Sequence, residues 1–212
     1  MEPIHIFSDV ICPWCYVGKA RLDHALDQLG LAGQVELVWH PFELDPGTPA
    51  EGKDRAKYLA RYGSPEQLKQ MDARLNGLAK DAGIQGFDVS KASRIPNTFQ
   101  AHRLMGWAGR RAKAHALAEA LFQANFVRGE DVSDPAVLVK AAESVGLDGT
   151  EAAAWLKGAE LTDELRAEED QAHKLGIQGV PFYVINGQGL SGAQPLQVFL
   201  AALNDAAAAG KP

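Results

Sequence analysis

The chain has 212 residues, 46% of them hydrophobic and 23% charged, enough for one or two domains with a full core. Its net charge is −6, and its nearest approach to a basic cluster, Arg110-Arg111-Ala112-Lys113, is short and helical in pattern, which excludes a nucleic-acid surface. No apolar run approaches the roughly 18–20 residues that a membrane span needs, and Met1-Glu2-Pro3 lacks the basic start of a signal peptide, so the expected location is the cytoplasm.

In chain order, Ile4 to Ser8 reads as a strand. Cys12-Pro13-Trp14-Cys15 follows within a few residues and opens a helical pattern (Val17, Leu22, Leu26, Leu29) that stops at Gly30. Gln34 to Pro41 alternates and is β-rich, a second strand. With one helix between them, the two strands form the start of a parallel βαβ unit. From Pro46 to about Trp155 the pattern predicts helices alone, near 51–62, 65–81, 97–113, 115–127, 135–145 and 149–157. Ser64-Pro65-Glu66, Ser133-Asp134-Pro135 and Gly149-Thr150-Glu151 supply helix starts. The stripe Leu117, Leu121, Phe122, Phe126 reads as core.

A helix from about Leu161 to Leu175 leads into Gly176-Ile177-Gln178-Gly179-Val180-Pro181. Then come a strand at Phe182 to Ile185, a hairpin turn at Asn186-Gly187, a short strand near Leu190 and a helix from Pro195 to about Leu203. The Ala-rich end, Ala206 to Pro212, is expected to fray. Neither end of the chain makes a sheet alone, so their strands must pair. This divides the chain into one discontinuous α/β domain (1–49 and 156–212) and an inserted helical block (50–155).

The chemistry concentrates in the two cysteines, the only ones in the chain. Structural disulfides are rare in a reducing cytosol, so a lone CxxC at a strand–helix junction points to a dithiol redox site. Disulfide attack requires a thiolate, and free cysteine, with a pKa near 8.5, is only a few per cent ionised at neutral pH. The unpaired N–H groups and positive dipole end of a helix start stabilise that anion. Cys12 is therefore expected to be the exposed nucleophile, and Cys15, one turn on and inward, the thiol that resolves the mixed disulfide. A static disulfide would close too small a loop to stabilise much. Zinc would need His5 and His40 to complete its ligands, and their spacing fits no metal motif, so no metal is expected. Trp14 is expected to line the access groove, with His40 and Asn97 as candidate polar lining. His24, His102, His115 and His173 are assigned no function.

Several segments carry a family resemblance. Phe7-Ser8-Asp9-Val10-Ile11-Cys12-Pro13-Trp14-Cys15-Tyr16-Val17-Gly18, Trp39-His40-Pro41-Phe42-Glu43-Leu44, Asn97-Thr98 with Ala101-His102-Arg103-Leu104, Gly179-Val180-Pro181-Phe182 and Ser191-Gly192-Ala193-Gln194 resemble the DsbA-like family, in its FrnE-like cytosolic branch. The resemblance implies an α/β thioredoxin-like fold with a large all-helical insertion and a dithiol–disulfide oxidoreductase or isomerase activity. It also implies a cis Val180–Pro181 bond facing Cys12, with Pro13, Trp14, Val180 and Pro181 shaping the substrate contact. No tightly bound cofactor is implied; electrons would come from glutathione or thioredoxin. The substrate would be a disulfide-containing protein or a small-molecule thiol, and the insertion would cover the site or form a homodimer interface. The sister branch, kappa-class glutathione transferases and 2-hydroxychromene-2-carboxylate isomerases, carries serine in place of the first cysteine, and Cys12 departs from it. A glutathione-dependent transferase or isomerase and a redox-sensing chaperone are the alternatives.

Overall fold

The computed structural model describes residues 1–92 and 94–209. Strand β1 (Ile4–Ser8) pairs in parallel with β2 (Leu37–Pro41), Ile6 opposite Trp39, and antiparallel with β5 (Phe182–Ile185), Ile6 opposite Tyr183. A hairpin joins β5 to β6 (Gln188–Ser191), giving the order β2-β1-β5-β6. Asn186 and Gly187 turn that hairpin with φ of 49° and 73°, the pair of positive values that a tight type I′ turn demands. The strands at the two ends of the chain thus meet at β1 and β5, and the fold is thioredoxin-like with a helical insertion.

Alternation along β1 divides the core. Ile4 and Ile6 face helices α1 (Pro13–Gln28) and α9 (Leu196–Ala209), packing with Leu22, Leu26, Tyr183, Phe199 and Leu203. Phe7 faces the other way, where Phe42, Ala172 and Ile177 cluster beneath α8 (Thr162–Lys174). Helix α1 ends as its glycine suggests. Gly30 is left-handed at φ 66°, its N–H reaches the Asp27 carbonyl at 3.0 Å, and Leu31 N–H reaches that of Leu26 at 2.8 Å. Those two bonds make a Schellman stop.

Between β2 and α8 lie α2 (Arg55–Leu59), α3 (Pro65–Asp81), α4 (Phe99–Gly109), α5 (Ala114–Phe122), α6 (Pro135–Ser144) and α7 (Gly149–Lys157). Their starts follow side-chain chemistry. Ser64 and Gln67 close a reciprocal capping box, Asp134 caps Ala136, and Asp148 caps Glu151. The stripe Leu117, Leu121, Phe122 and Phe126 is core, as its spacing suggests.

Four expectations need correction. This region is not helical alone: β3 (Lys53–Asp54) and β4 (Arg94–Ile95) pair antiparallel, a two-residue ribbon too short to show a period. The helix expected over 51–62 shrinks to α2, because Asp54 pairs in β3 and caps from there. The helix over 115–127 changes character after Phe122, becoming a π-helical turn at Gln123–Arg128 that ends at left-handed Gly129. At the C-terminus α9 reaches Ala209 instead of fraying from Ala206, which is buried against the sheet; residues 210–212 lie outside the described ones.

Candidate active site

The turn after β1 sets the dithiol in place. Asp9, fully buried, accepts the Leu44 N–H on Oδ2 at 2.8 Å, while its carbonyl accepts the Cys12 N–H at 3.0 Å. Cys12 is the N-cap of α1, in extended conformation (φ −86°, ψ 111°), and Pro13 opens the first turn, where its missing N–H costs nothing. The Cys12 carbonyl accepts the Cys15 N–H at 3.0 Å, closing that turn. Both cysteines are free thiols.

The two sulfurs differ in surroundings. Cys15 is 1% exposed; burial, then its hydrogen bond to the Cys12 thiol, push its own thiol well above the usual range. The Cys12 thiol donates to the Val180 carbonyl at 3.6 Å. The Val180–Pro181 peptide is cis, and the Pro181 carbonyl accepts the Gly192 N–H at 2.8 Å, anchoring the loop to the end of β6.

Cys12 is not exposed as expected: only 3% of it is accessible, because Val180 stands over one side and the helical block over the other. It opens instead into a cleft of about 340 Å³. Pro13, half-buried Trp14 and Val180 line that cleft with it, whereas Pro181 is buried behind Val180.

His40 and Asn97 do not line it. His40 belongs to the sheet face beneath α8: it stacks on Phe7, meets His5 Nδ1 through Nε2 at 2.9 Å, and reaches Glu168 with Nδ1 at 3.2 Å. Asn97 is spent on loop structure, donating to the Thr48 carbonyl at 2.7 Å and accepting the Phe99 N–H at 3.0 Å. The polar wall of the cleft includes Asn125, 3% exposed on the π-helical turn, whose amide donates to the Val10 carbonyl at 3.5 Å. An amide set inside the apolar stripe Leu121-Phe122-Phe126 was the available sequence signal.

Sequence reasoning also left His102 without a role. It is buried on α4, 3.4 Å from Asp9, beside Glu43 and Glu169. Burial opposes its protonation, but the adjacent Asp9 carboxylate, backed by Glu169 and Glu43, outweighs that and raises its pKa. Arg166 spans Glu43 and Glu169, and the Glu43 N–H donates to Glu169 at 2.7 Å. Among the described residues no group of three or more His, Cys, Asp or Glu is placed to hold a metal ion.

A free CxxC at the first turn of the helix after β1, with an X–cis-Pro loop against it on a β2-β1-β5-β6 sheet, defines a protein of the thioredoxin-fold thiol oxidoreductase class. The chain belongs to the DSBA-like thioredoxin domain family, whose profile matches residues 3–204. A crystal structure of a probable DsbA oxidoreductase from Streptomyces coelicolor is similar at 38% identity and a TM-score of 0.89, over 100% of this chain and 92% of that one. An uncharacterised protein of Bacillus subtilis (strain 168), YwbO, is 29% identical over 203 residues, covering 95% of this chain and 96% of its own. The cytosolic disulfide reductase DsbM from Pseudomonas aeruginosa shares the fold at 19% identity and a TM-score of 0.64, with 98% and 100% coverage.

Proposed function

We propose that this protein is a cytoplasmic dithiol–disulfide oxidoreductase of the FrnE-like kind in which Cys12 attacks and Cys15 resolves. The observation that carries the reading is the asymmetry of the pair. Cys12 opens into a cleft and contacts the Val180 carbonyl, whereas Cys15 is sealed in, with its thiol pushed well up by burial. The Cys15 thiol stays protonated beneath the mixed disulfide until it loses its proton and attacks the Cys12 sulfur, expelling the substrate thiolate. Cys12 makes the attack as a thiolate, the nucleophilic form of cysteine. Pro13, Trp14 and Val180 border the substrate, with Pro181 fixing the backbone behind Val180. Glutathione or a thioredoxin-type dithiol restores the reduced pair, and no tightly held cofactor takes part.

The test uses turnover of hydroxyethyl disulfide, a small neutral substrate, with a coupled reductant. Cys12→Ser is expected to fall to the uncatalysed rate. Cys15→Ser is expected to accumulate one substrate adduct on Cys12, visible by intact-protein mass spectrometry and released by dithiothreitol. Turnover surviving in Cys12→Ser, or no adduct in Cys15→Ser, overturns the assignment.

A further inference from the structure

We infer that the cleft over Cys12 selects a low-molecular-weight disulfide with an uncharged aromatic or apolar arm, in preference to a disulfide of a folded protein. This inference rests on the oxidoreductase reading and adds the substrate class. Cys12 is 3% exposed, so a sulfur that meets it must come through the cleft, whose roughly 340 Å³ suits a small molecule. A disulfide embedded in a folded surface brings its own backbone along and enters less readily than a free small molecule.

The walls set the chemistry of the arm. Trp14 from α1, Tyr58 and Leu59 from α2, Leu75 from α3 and Phe126 from the π-helical turn face the cleft, with Tyr62, 60% exposed, at its edge. Aromatic walls reward a flat apolar guest by area burial and offset stacking. The charged groups there are already engaged. Arg55 pairs with Asp72 at 3.4 Å, and Arg94 donates to the carbonyls of Glu51 and Gly52, the latter at 3.2 Å. A carboxylate entering beside them gives up its water, and Arg94, which has no carboxylate partner among the described residues, is exposed and already donates to two carbonyls, so pairing with it returns little. A tripeptide disulfide with several carboxylates is thus the poorer fit.

The exchange balances within the pair. The Cys12 thiolate attacks one sulfur of R–S–S–R′, forming Cys12–S–S–R and expelling R′S⁻, which takes a proton from solvent. Cys15 gives up its proton and attacks the Cys12 sulfur; RS⁻ leaves and is protonated to RSH. The substrate gains two electrons, the enzyme is left as the Cys12–Cys15 disulfide, and a dithiol donor reduces it.

Initial rates with 4,4′-dithiodipyridine, glutathione disulfide and insulin test this, each divided by that disulfide's own uncatalysed exchange with dithiothreitol, because leaving-group acidity alone changes rate. The expected result is a normalised kcat/KM at least tenfold higher for the aromatic disulfide than for either other substrate. In Leu59→Glu the preference for it over glutathione disulfide should drop at least fivefold, since the new carboxylate sits against the arm. Equal normalised rates, insulin as the best substrate, or a preference unmoved by Leu59→Glu overturns the cleft assignment and leaves the redox chemistry intact. Failure to exchange with any disulfide, hydroxyethyl disulfide included, removes the underlying reading as well.

Discussion

Gly18 lies one helical turn beyond Cys15, where α1 runs against β5. A Cβ there would collide with the Tyr183 hydroxyl and stand 3.2 Å from Pro181 Cγ. Tyr183 is 1% exposed and its ring packs edge-on against Phe199 at 5.0 Å, so it has little room to retreat. Alanine gains up to about 1 kcal/mol of helix propensity, but overpacking a closed core costs about 1–3 kcal/mol. Gly18→Ala is therefore expected to lose about 1 kcal/mol or more in urea unfolding. The Tyr183 hydroxyl is the nearest atom and has no hydrogen-bond partner among the described residues. Tyr183→Phe should thus restore most of the loss in the double variant, and a purely additive pair would show that the collision is not the cause.

The charges around His102 join four elements: the turn after β1 through Asp9, the loop after β2 through Glu43, α4 through His102 itself, and α8 through Arg166 and Glu169. His102 has a raised pKa in the fold, so the folded state holds its proton more tightly than the unfolded chain, whose histidine titrates near 6.5. Its stabilisation is complete below about pH 6.5 and is lost as pH climbs through the higher folded value. Glu43, raised chiefly by burial, gives a loss of the same sign that begins lower, from its ordinary 4.5 upward. His102→Gln should keep a polar group beside Asp9 and flatten the decline in stability above about pH 6.5, measured by urea midpoints across pH; a decline equal to that of the parent would remove His102 from the account. None of this network was legible beforehand, because its members lie in unrelated segments. The cleft was hidden for the same reason: Tyr58, Leu75 and Phe126 share no local pattern, and β3–β4 pairs residues far apart in the chain, Lys53 with Ile95 and Asp54 with Arg94. The dithiol, the Asn186-Gly187 hairpin and the Ser64, Asp134 and Asp148 helix starts were legible, since each is a short-range event whose chemistry is complete within a few residues.

The CxxC helix and the inserted helices share one core. Cys12, Cys15, Tyr16 and Val17 belong to the same buried cluster as Leu104, Leu117, Leu121 and Phe122, while the sheet's own cluster takes the far side of α1. Phe122, with no exposed surface, stacks on Tyr16 at 5.0 Å and 9°, which couples α5 to the residue beside the resolving thiol. A helical block bound in this way cannot melt and leave the dithiol in its native setting. Denaturation should therefore be a single transition, with far-UV circular dichroism and labelling of Cys15 in a Cys12→Ser background giving one midpoint. Phe122→Ala removes the shared ring and is expected to cost about 3–5 kcal/mol. That loss should move both probes together, because the sheet and the block draw on the same contact. If the helical signal instead falls at lower urea while Cys15 stays protected, the insertion is a separate folding unit and the cover over Cys12 opens without the rest of the molecule.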